Sequence, residues 1–308
     1  MQVRIKHIAL VLLLLNILAG NGVYAGTDPE ADFSVDETNP VVGQPITFSD
    51  QSSNGTFLGN TDPIVSWAWD FGAGALPENA NSSGSHDIIF TSEGEKTVSL
   101  EVTTQGGRTN TEIKNNYISV SCNAASSIIP SGPVSAIYGS TLNLDGNPTG
   151  SYGTYDNHEW TGDGAAYLSA TNIQAPVFSG APVGTYNLTY TVTDSYGCNG
   201  TDNITIEVTP ATLTVTAGDQ TVIYGTPAST VTQNGTYTIS GFVNGDNSSV
   251  ISALNSVSYS TNYTETTNAG TSGTTITPGI GGLAADNYSF SAVSGSVTID
   301  KADQFIIS

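Results

Sequence analysis

Short segments in which apolar and polar residues alternate strictly recur roughly every ten residues along this 308-residue chain, each closed by Gly, Asn, Asp or Ser. In Lys96–Val102, Val98, Leu100 and Val102 take one face while Thr97, Ser99 and Glu101 take the other. Gly184–Val192 repeats the pattern, with Tyr186, Leu188, Tyr190 and Val192 on the inner face. A period of two belongs to a half-buried strand, and many short strands with turns between them build antiparallel sandwiches. Ser, Thr, Asn and Gly dominate, while Lys and Leu are scarce, which disfavours helices. The expected fold class is therefore all-β throughout. A single sandwich needs only about 100 residues, so a chain of this length predicts two or three domains.

Trp67-Ala68-Trp69-Asp70-Phe71-Gly72 is the densest apolar stretch of the first part. Alternation puts Val65, Trp67, Trp69 and Phe71 on one face and Ser66, Ala68 and Asp70 on the other. Each buried aromatic removes about 150–250 Å² from water, so Trp67, Trp69 and Phe71 are expected as core residues. Trp160 plays the same part further along, and no tryptophan comes after it.

Residues 1–25 have the layout of a secretory signal: Arg4 and Lys6 form a charged start, Ile8–Leu18 an apolar run, and Val23-Tyr24-Ala25 a small-residue cleavage site before Gly26. The apolar run, interrupted by Asn16, is too short for a comfortable membrane span of about 30 Å, and no transmembrane span is expected in the mature chain. Export is the address this predicts: secreted, extracellular or at a cell surface. The whole chain carries a net charge of −21, and losing Arg4 and Lys6 leaves four basic residues against 27 acidic ones, or −23. Such a chain repels phosphate backbones, which excludes nucleic acid as a partner. The expected partner is an extracellular protein or glycan.

From Phe33 the first module (26–120) runs through Gly43, Ile46 and Phe48, the Trp69-Asp70-Phe71-Gly72 block, Gly94, and the Val98-Leu100-Val102 strand. This order resembles the PKD-type domain, an immunoglobulin-like sandwich of extracellular proteins. Ala73 stands where that family usually has an acidic residue between two glycines, so the family's role for that acid in turn bonding or ion contact does not carry over to this module. A second module (121–208) repeats the plan loosely: Tyr138-Gly139 and Thr141–Leu144, then His158-Glu159-Trp160, Gly162-Asp163-Gly164, and the Gly184–Val192 and Ile204–Val208 strands. It resembles a divergent PKD-like, immunoglobulin-like module. After Thr209-Pro210 come Leu213-Thr214-Val215-Thr216-Ala217, Tyr224-Gly225, Gly241-Phe242-Val243-Asn244-Gly245-Asp246, Asn287-Tyr288 and Ile299-Asp300-Lys301-Ala302. These landmarks make 209–301 similar to the MBG-type repeat of bacterial surface proteins. Residues 302–308, ending in Phe305-Ile306-Ile307, look like the opening of a further, truncated repeat. The resemblances together imply tandem antiparallel immunoglobulin-like β-sandwiches.

Cys122 and Cys198 are the only cysteines. In an exported protein a disulfide is favoured over two free thiols or a metal site, since two cysteines without clustered His offer too few ligands. Closing such a loop would stabilise by about 4 kcal/mol on the chain-entropy argument.

Asp70, Asp163, Asp194 and Asp246 sit near glycines in turns, where Asp commonly holds nearby backbone amides. Asp163, Asp194 and Asp246 are also the candidates for calcium, the one cofactor entertained. His86 and His158 are expected at the surface; His158 beside Glu159 has no nucleophile context, and neighbouring acids such as Asp36-Glu37 point to opposite faces of a strand. No catalytic residue is identified, and the protein is expected not to be an enzyme. Three functions stand in order: a non-catalytic, adhesin-like stalk or binding segment; an accessory region of a secreted protease or polysaccharide hydrolase; and a carbohydrate-binding module using Tyr152, Tyr155 and Tyr167.

Overall fold

The computed structural model describes residues 26–303. The signal-like segment with Ala25, and Phe305-Ile306-Ile307, lie outside the described residues. The chain divides into two compact units: one holds residues up to Ala125 with Pro148–Asp156 and Val192–Gly200, the other holds Ser126–Asn147, Asn157–Thr191 and residues from Thr201 onward.

In the first unit two four-stranded sheets face each other. One orders its strands Phe33–Val35, Pro45–Asp50, Ser85–Phe90 and Ala75–Leu76; the other Thr109–Val120, Gly94–Thr104, Ile64–Asp70 and Asn79–Ala80. The alternating apolar residues meet between them. Phe33, Ile46, Phe48, Trp69, Phe71, Ile88, Phe90, Val98, Leu100, Val102 and Ile118 are all buried in one cluster. Trp69 stacks on Phe71 with ring centres 5.4 Å apart and meets Phe33 edge-on at 5.4 Å, an arrangement that adds to the area buried.

The aromatic strand departs from simple alternation at its start. Its register against Gly94–Thr104 shifts between Ile64 and Ser66, and Val65 is 57% exposed. An extra residue on one strand reverses the parity of everything before it, so Val65 leaves the face that Trp69 and Phe71 occupy. Trp67 is half-buried against the cluster, and its indole Nε1 donates to Asp50 Oδ2 at 2.7 Å.

Lys114 fastens the opening strand to the strand Thr109–Val120. Its ammonium donates to Asp32 Oδ1 at 2.9 Å and to the Phe33 carbonyl, and lies 4.5 Å from the centre of the Phe33 ring. The hydrogen bond from Lys114, helped by the Phe33 amide, holds the Asp32 carboxyl below its ordinary value of 3.8. A lowered carboxyl stabilises the fold above its unfolded value, and the contribution is lost as pH falls through the folded value. Lys114→Met should therefore flatten the acid limb of a thermal-stability profile below about pH 3.8, where the parent chain declines.

Residues Tyr196 and Cys198, from the hairpin joining strands Gly184–Asp194 and Asn199–Thr209, pack against the same core. A further sheet orders Val134–Ile137, Asn199–Thr209, Gly184–Asp194 and Tyr155–Thr161, and Thr141–Asn143 pairs with Val177–Ser179. Leu188, Tyr190, Ile204, Ile206 and Phe178 are buried with Trp160. Trp160 lies 4.8 Å from Tyr190, ring centre to centre, and its Nε1 donates to the Ile173 carbonyl at 2.9 Å.

The remaining strands form a sheet ordered Tyr237–Ser240, Ala211–Ala217, Tyr288–Val293 and another ordered Gln220–Ile223, Gly295–Asp300, Thr275–Gly279, Ser258–Thr261. Ala217, Val231, Tyr263, Ile276, Val297 and Ile299 make its core cluster. Among the described residues of the second unit, parallel pairings join Val134–Ile137 with Ile206–Thr209, Ala211–Thr216 with Tyr288–Val293, and Gln220–Ile223 with Val297–Asp300. Among the described residues this module also holds one α-helix, Ala228–Gln233, and two 3-10 turns, Ser248–Val250 and Leu254–Ser256. The composition of Ala228–Gln233 does not favour a helix; the fully buried Val231 pins one face of that single turn and a half to the core, and tertiary packing decides.

Candidate functional site

The disulfide joins Cys122 to Cys198 across a sequence separation of 76, with Cα atoms 5.5 Å apart. Cys122 lies just after the strand Thr109–Val120 and is exposed, whereas Cys198 is buried.

Asp194 organises the hairpin that carries Cys198. Its Oδ1 accepts the amides of Tyr196 at 2.9 Å and Cys198 at 2.8 Å, and its Oδ2 accepts the Ser151 hydroxyl. The group is 5% exposed and spends its lone pairs on the turn. Asp62, which sequence reasoning missed, does the same for the hairpin after Thr104, accepting the Thr104 hydroxyl at 2.7 Å and the Gly106 amide at 2.8 Å. The signal was available only as Asp near a later Gly-Gly turn, 42 residues from its hydroxyl partner. Replacing Asp194 by Ala strands two amide donors in a buried turn and should cost about 1–3 kcal/mol, measured by denaturant melts, with no dependence on added chelator.

The other two calcium candidates are likewise occupied. Asp163 Oδ1 accepts the Asn187 amide at 2.6 Å, and Asp246 Oδ2 accepts hydroxyls from Tyr288 at 2.7 Å and Tyr138 at 3.1 Å. Among the described residues, no group of three His, Cys, Asp or Glu side chains converges in a way that could hold a metal ion.

Around Asp246 the landmark residues of two sequence modules meet. Tyr138 and Tyr288 touch edge to face with ring centres 5.4 Å apart. The Tyr288 hydroxyl also accepts the Val243 amide at 3.1 Å and contacts its carbonyl at 3.2 Å. Asn287 Oδ1 accepts the Val183 amide at 2.9 Å. Burial raises the Tyr288 phenol above its ordinary value of 10.0, and the Asp246 carboxylate beside it adds to the shift. Tyr138, Asp246, Asn287 and Tyr288, with Val250 and Asp286, line a polar recess of about 260 Å³. Within it the Asp246 carboxylate accepts both tyrosine hydroxyls, which is the chemistry of a joint.

The two histidines are half-buried, not surface groups. His158 Nδ1 bonds the hydroxyl of Tyr190 at 2.6 Å, and His86 Nε2 pairs with the Ser82 carbonyl at 3.0 Å while its ring lies 5.3 Å from Trp69. His86 thus covers the Trp69 side of its core, and His158 stacks on Tyr190. The three tyrosines weighed for sugar stacking are not equivalent: Tyr152 is 58% exposed, Tyr155 accepts the Ser151 amide at 3.1 Å, and Tyr167 packs against Tyr186 and Phe178 at 5.2 and 6.0 Å.

All-β sandwiches in series, braced by Asp-held hairpins and one disulfide, define the class. Within it, residues 32–116 match the PKD domain family and residues 213–298 the MBG domain family of YGX type. No curated protein matches the chain's sequence. Among solved structures, the chain is similar to the PKD1 domain of Vibrio anguillarum Epp, at 27% identity over 32% of this chain and 100% of that one, with a TM-score of 0.25. It is also similar to the three N-terminal domains of the bacteriophage RB49 Highly Immunogenic Outer Capsid protein, at 9% identity over 89% and 100% of the two chains, TM-score 0.36. A third similarity is to invasin, a bacterial integrin-binding protein, at 13% identity over 87% of this chain and 60% of that one, TM-score 0.36.

Proposed function

We propose that this chain is a non-catalytic segment of an exported surface protein, an adhesin-like stalk of three modules (26–120, 121–208 and 209–301) that carries or spaces a binding region. The observation that carries it is the succession of a PKD match at 32–116 and an MBG match at 213–298 in one chain held by a disulfide. Disulfides persist in oxidising compartments, which agrees with the signal-like residues 1–25. The acidic side chains best placed for chemistry, Asp194 and Asp246, are engaged in holding turns and joints. A high negative charge suits a solvated extracellular surface, and the partner is an extracellular protein or glycan.

The test expresses the full gene in its host and treats intact cells with a non-penetrating protease. Loss of the chain from intact cells, or its recovery from the medium without treatment, supports export. Retention of the untouched chain inside the cell overturns it. Glycan and protein arrays probed with the purified chain then separate a binding segment from a passive spacer.

A further inference from the structure

One turn is built three times in this chain. At Val42-Gly43-Gln44, the Val42 amide donates to the Ser121 carbonyl at 2.9 Å and the Gln44 amide to the Val41 carbonyl at 3.0 Å. At Tyr138-Gly139-Ser140, the Tyr138 amide donates to Thr209 at 2.8 Å and the Ser140 amide to Ile137 at 2.9 Å. At Tyr224-Gly225-Thr226, the Tyr224 amide donates to Asp300 at 2.9 Å and the Thr226 amide to Ile223 at 3.0 Å. The central glycines share a left-handed backbone, with φ of 82°, 83° and 90°. Each turn thus hangs on a residue at the boundary where the chain leaves its module: Ser121 and Thr209 directly after the first two modules, and Asp300 at the end of the third.

The first two turns are each covered by a residue of the next module along the chain. A Cβ at Gly43 would lie 2.5 Å from Tyr196, in the Asp194-held hairpin, and one at Gly139 would lie 2.4 Å from Val243. The residues before these glycines are correspondingly sheltered, Val42 at 3% and Tyr138 at 9% exposure. The third turn has the same geometry and stands bare among the described residues: no atom lies within 4 Å of a Cβ at Gly225, and Tyr224 is 44% exposed beside a recess lined by Ala269, Lys301, Ala302 and Asp303.

We propose that the Tyr224-Gly225 turn is a docking seat for a module of the 213–298 type joined after Asp300. The occupant is fixed by the Tyr138 seat. There the incoming module supplies Val243 against the glycine, and Asp246 and Tyr288 for the tyrosine hydroxyl and ring. Tyr224 offers the same hydroxyl, the same ring and the same bare glycine. The Gly-Phe-Val-Asn-Gly-Asp and Asn-Tyr landmarks are then the receiving half of a joint whose other half is the Tyr-Gly turn of the preceding module, and a series of such modules joins by repetition.

The experiment compares the full chain with a version in which residues 210–300 are repeated directly after Asp300, each nitrated under limiting tetranitromethane and read by peptide mass spectrometry. In the full chain Tyr224 should react about fivefold faster than Tyr138, in line with exposures of 44% and 9%. In the extended chain Tyr224 should slow to the Tyr138 rate, and changing the added copy's counterpart of Val243 to Lys should restore it. The same Val243→Lys change in the full chain should speed nitration of Tyr138 without altering Tyr224. Unchanged nitration of Tyr224 in an extended chain whose added module is folded by circular dichroism overturns the proposal, as does an insensitivity of Tyr138 to Val243→Lys. The readout is independent of where the protein resides, so it stands or falls apart from the export test.

Discussion

Trp69→Ala should lower the stability of the first sandwich by about 3–5 kcal/mol. The indole is 2% exposed, stacks on Phe71, meets Phe33 edge-on, and donates from Nε1 to the Ser82 carbonyl at 3.2 Å. Its removal opens a cavity between two sheets whose facing strands cannot collapse, because their ladders fix the spacing. Trp67→Ala offers the internal comparison. That ring is half-buried and sits at the rim, so its loss should cost less than half as much, mostly through the abandoned Asp50 partner. Chemical denaturation monitored by fluorescence measures both. Equal costs for the two tryptophans would show that Trp67 carries as much of the core as Trp69 despite its half-buried place at the rim.

The contrast between the two tryptophans marks how far the amino-acid sequence can be read. Alternation locates the inner faces of Lys96–Val102 and Gly184–Val192 because period two is a local property of a strand. It misplaces Val65, because a bulge depends on the partner strand's register, and register is a relation between segments about 40 residues apart. His158 reads as a surface group for the same reason: its partner Tyr190 lies 32 residues away. The joint at Asp246 is invisible as a joint although every landmark in it is noticeable, since Tyr138 and Asp246 are separated by 108 residues. Sequence supplies the set of residues with unusual side chains in turns; folding supplies the parallel pairings that bring Thr209 beside Tyr138 and Asp300 beside Tyr224. The aspartates' chemistry changes with that context. Near glycines they suggest oxygen ligands for a cation, whereas in place they accept amides and hydroxyls, which uses the same lone pairs for rigidity.

Reduction of the Cys122–Cys198 disulfide should produce the second large effect, and pulling on the chain should show it as a length. Under tension the oxidised chain cannot extend the loop spanned by the sequence separation of 76 between the two cysteines, so every full unfolding trace is short by about 250–270 Å relative to the reduced chain, at about 3.3–3.6 Å per residue. At equilibrium the same bond should contribute about 4 kcal/mol by restricting the unfolded ensemble. The position of the bridge decides what that energy protects. Cys122 closes the first sandwich's last strand, and Cys198 belongs to the hairpin whose Tyr196 covers Gly43. Cys122→Ala with Cys198→Ala should therefore loosen the hairpin's hold as well as lower the melting midpoint, raising hydrogen exchange at the Tyr196 and Cys198 amides that Asp194 now accepts. If those amides stay as protected as in the parent while the midpoint falls, the bridge acts through the unfolded chain alone, and Asp194 suffices to keep the hairpin in place.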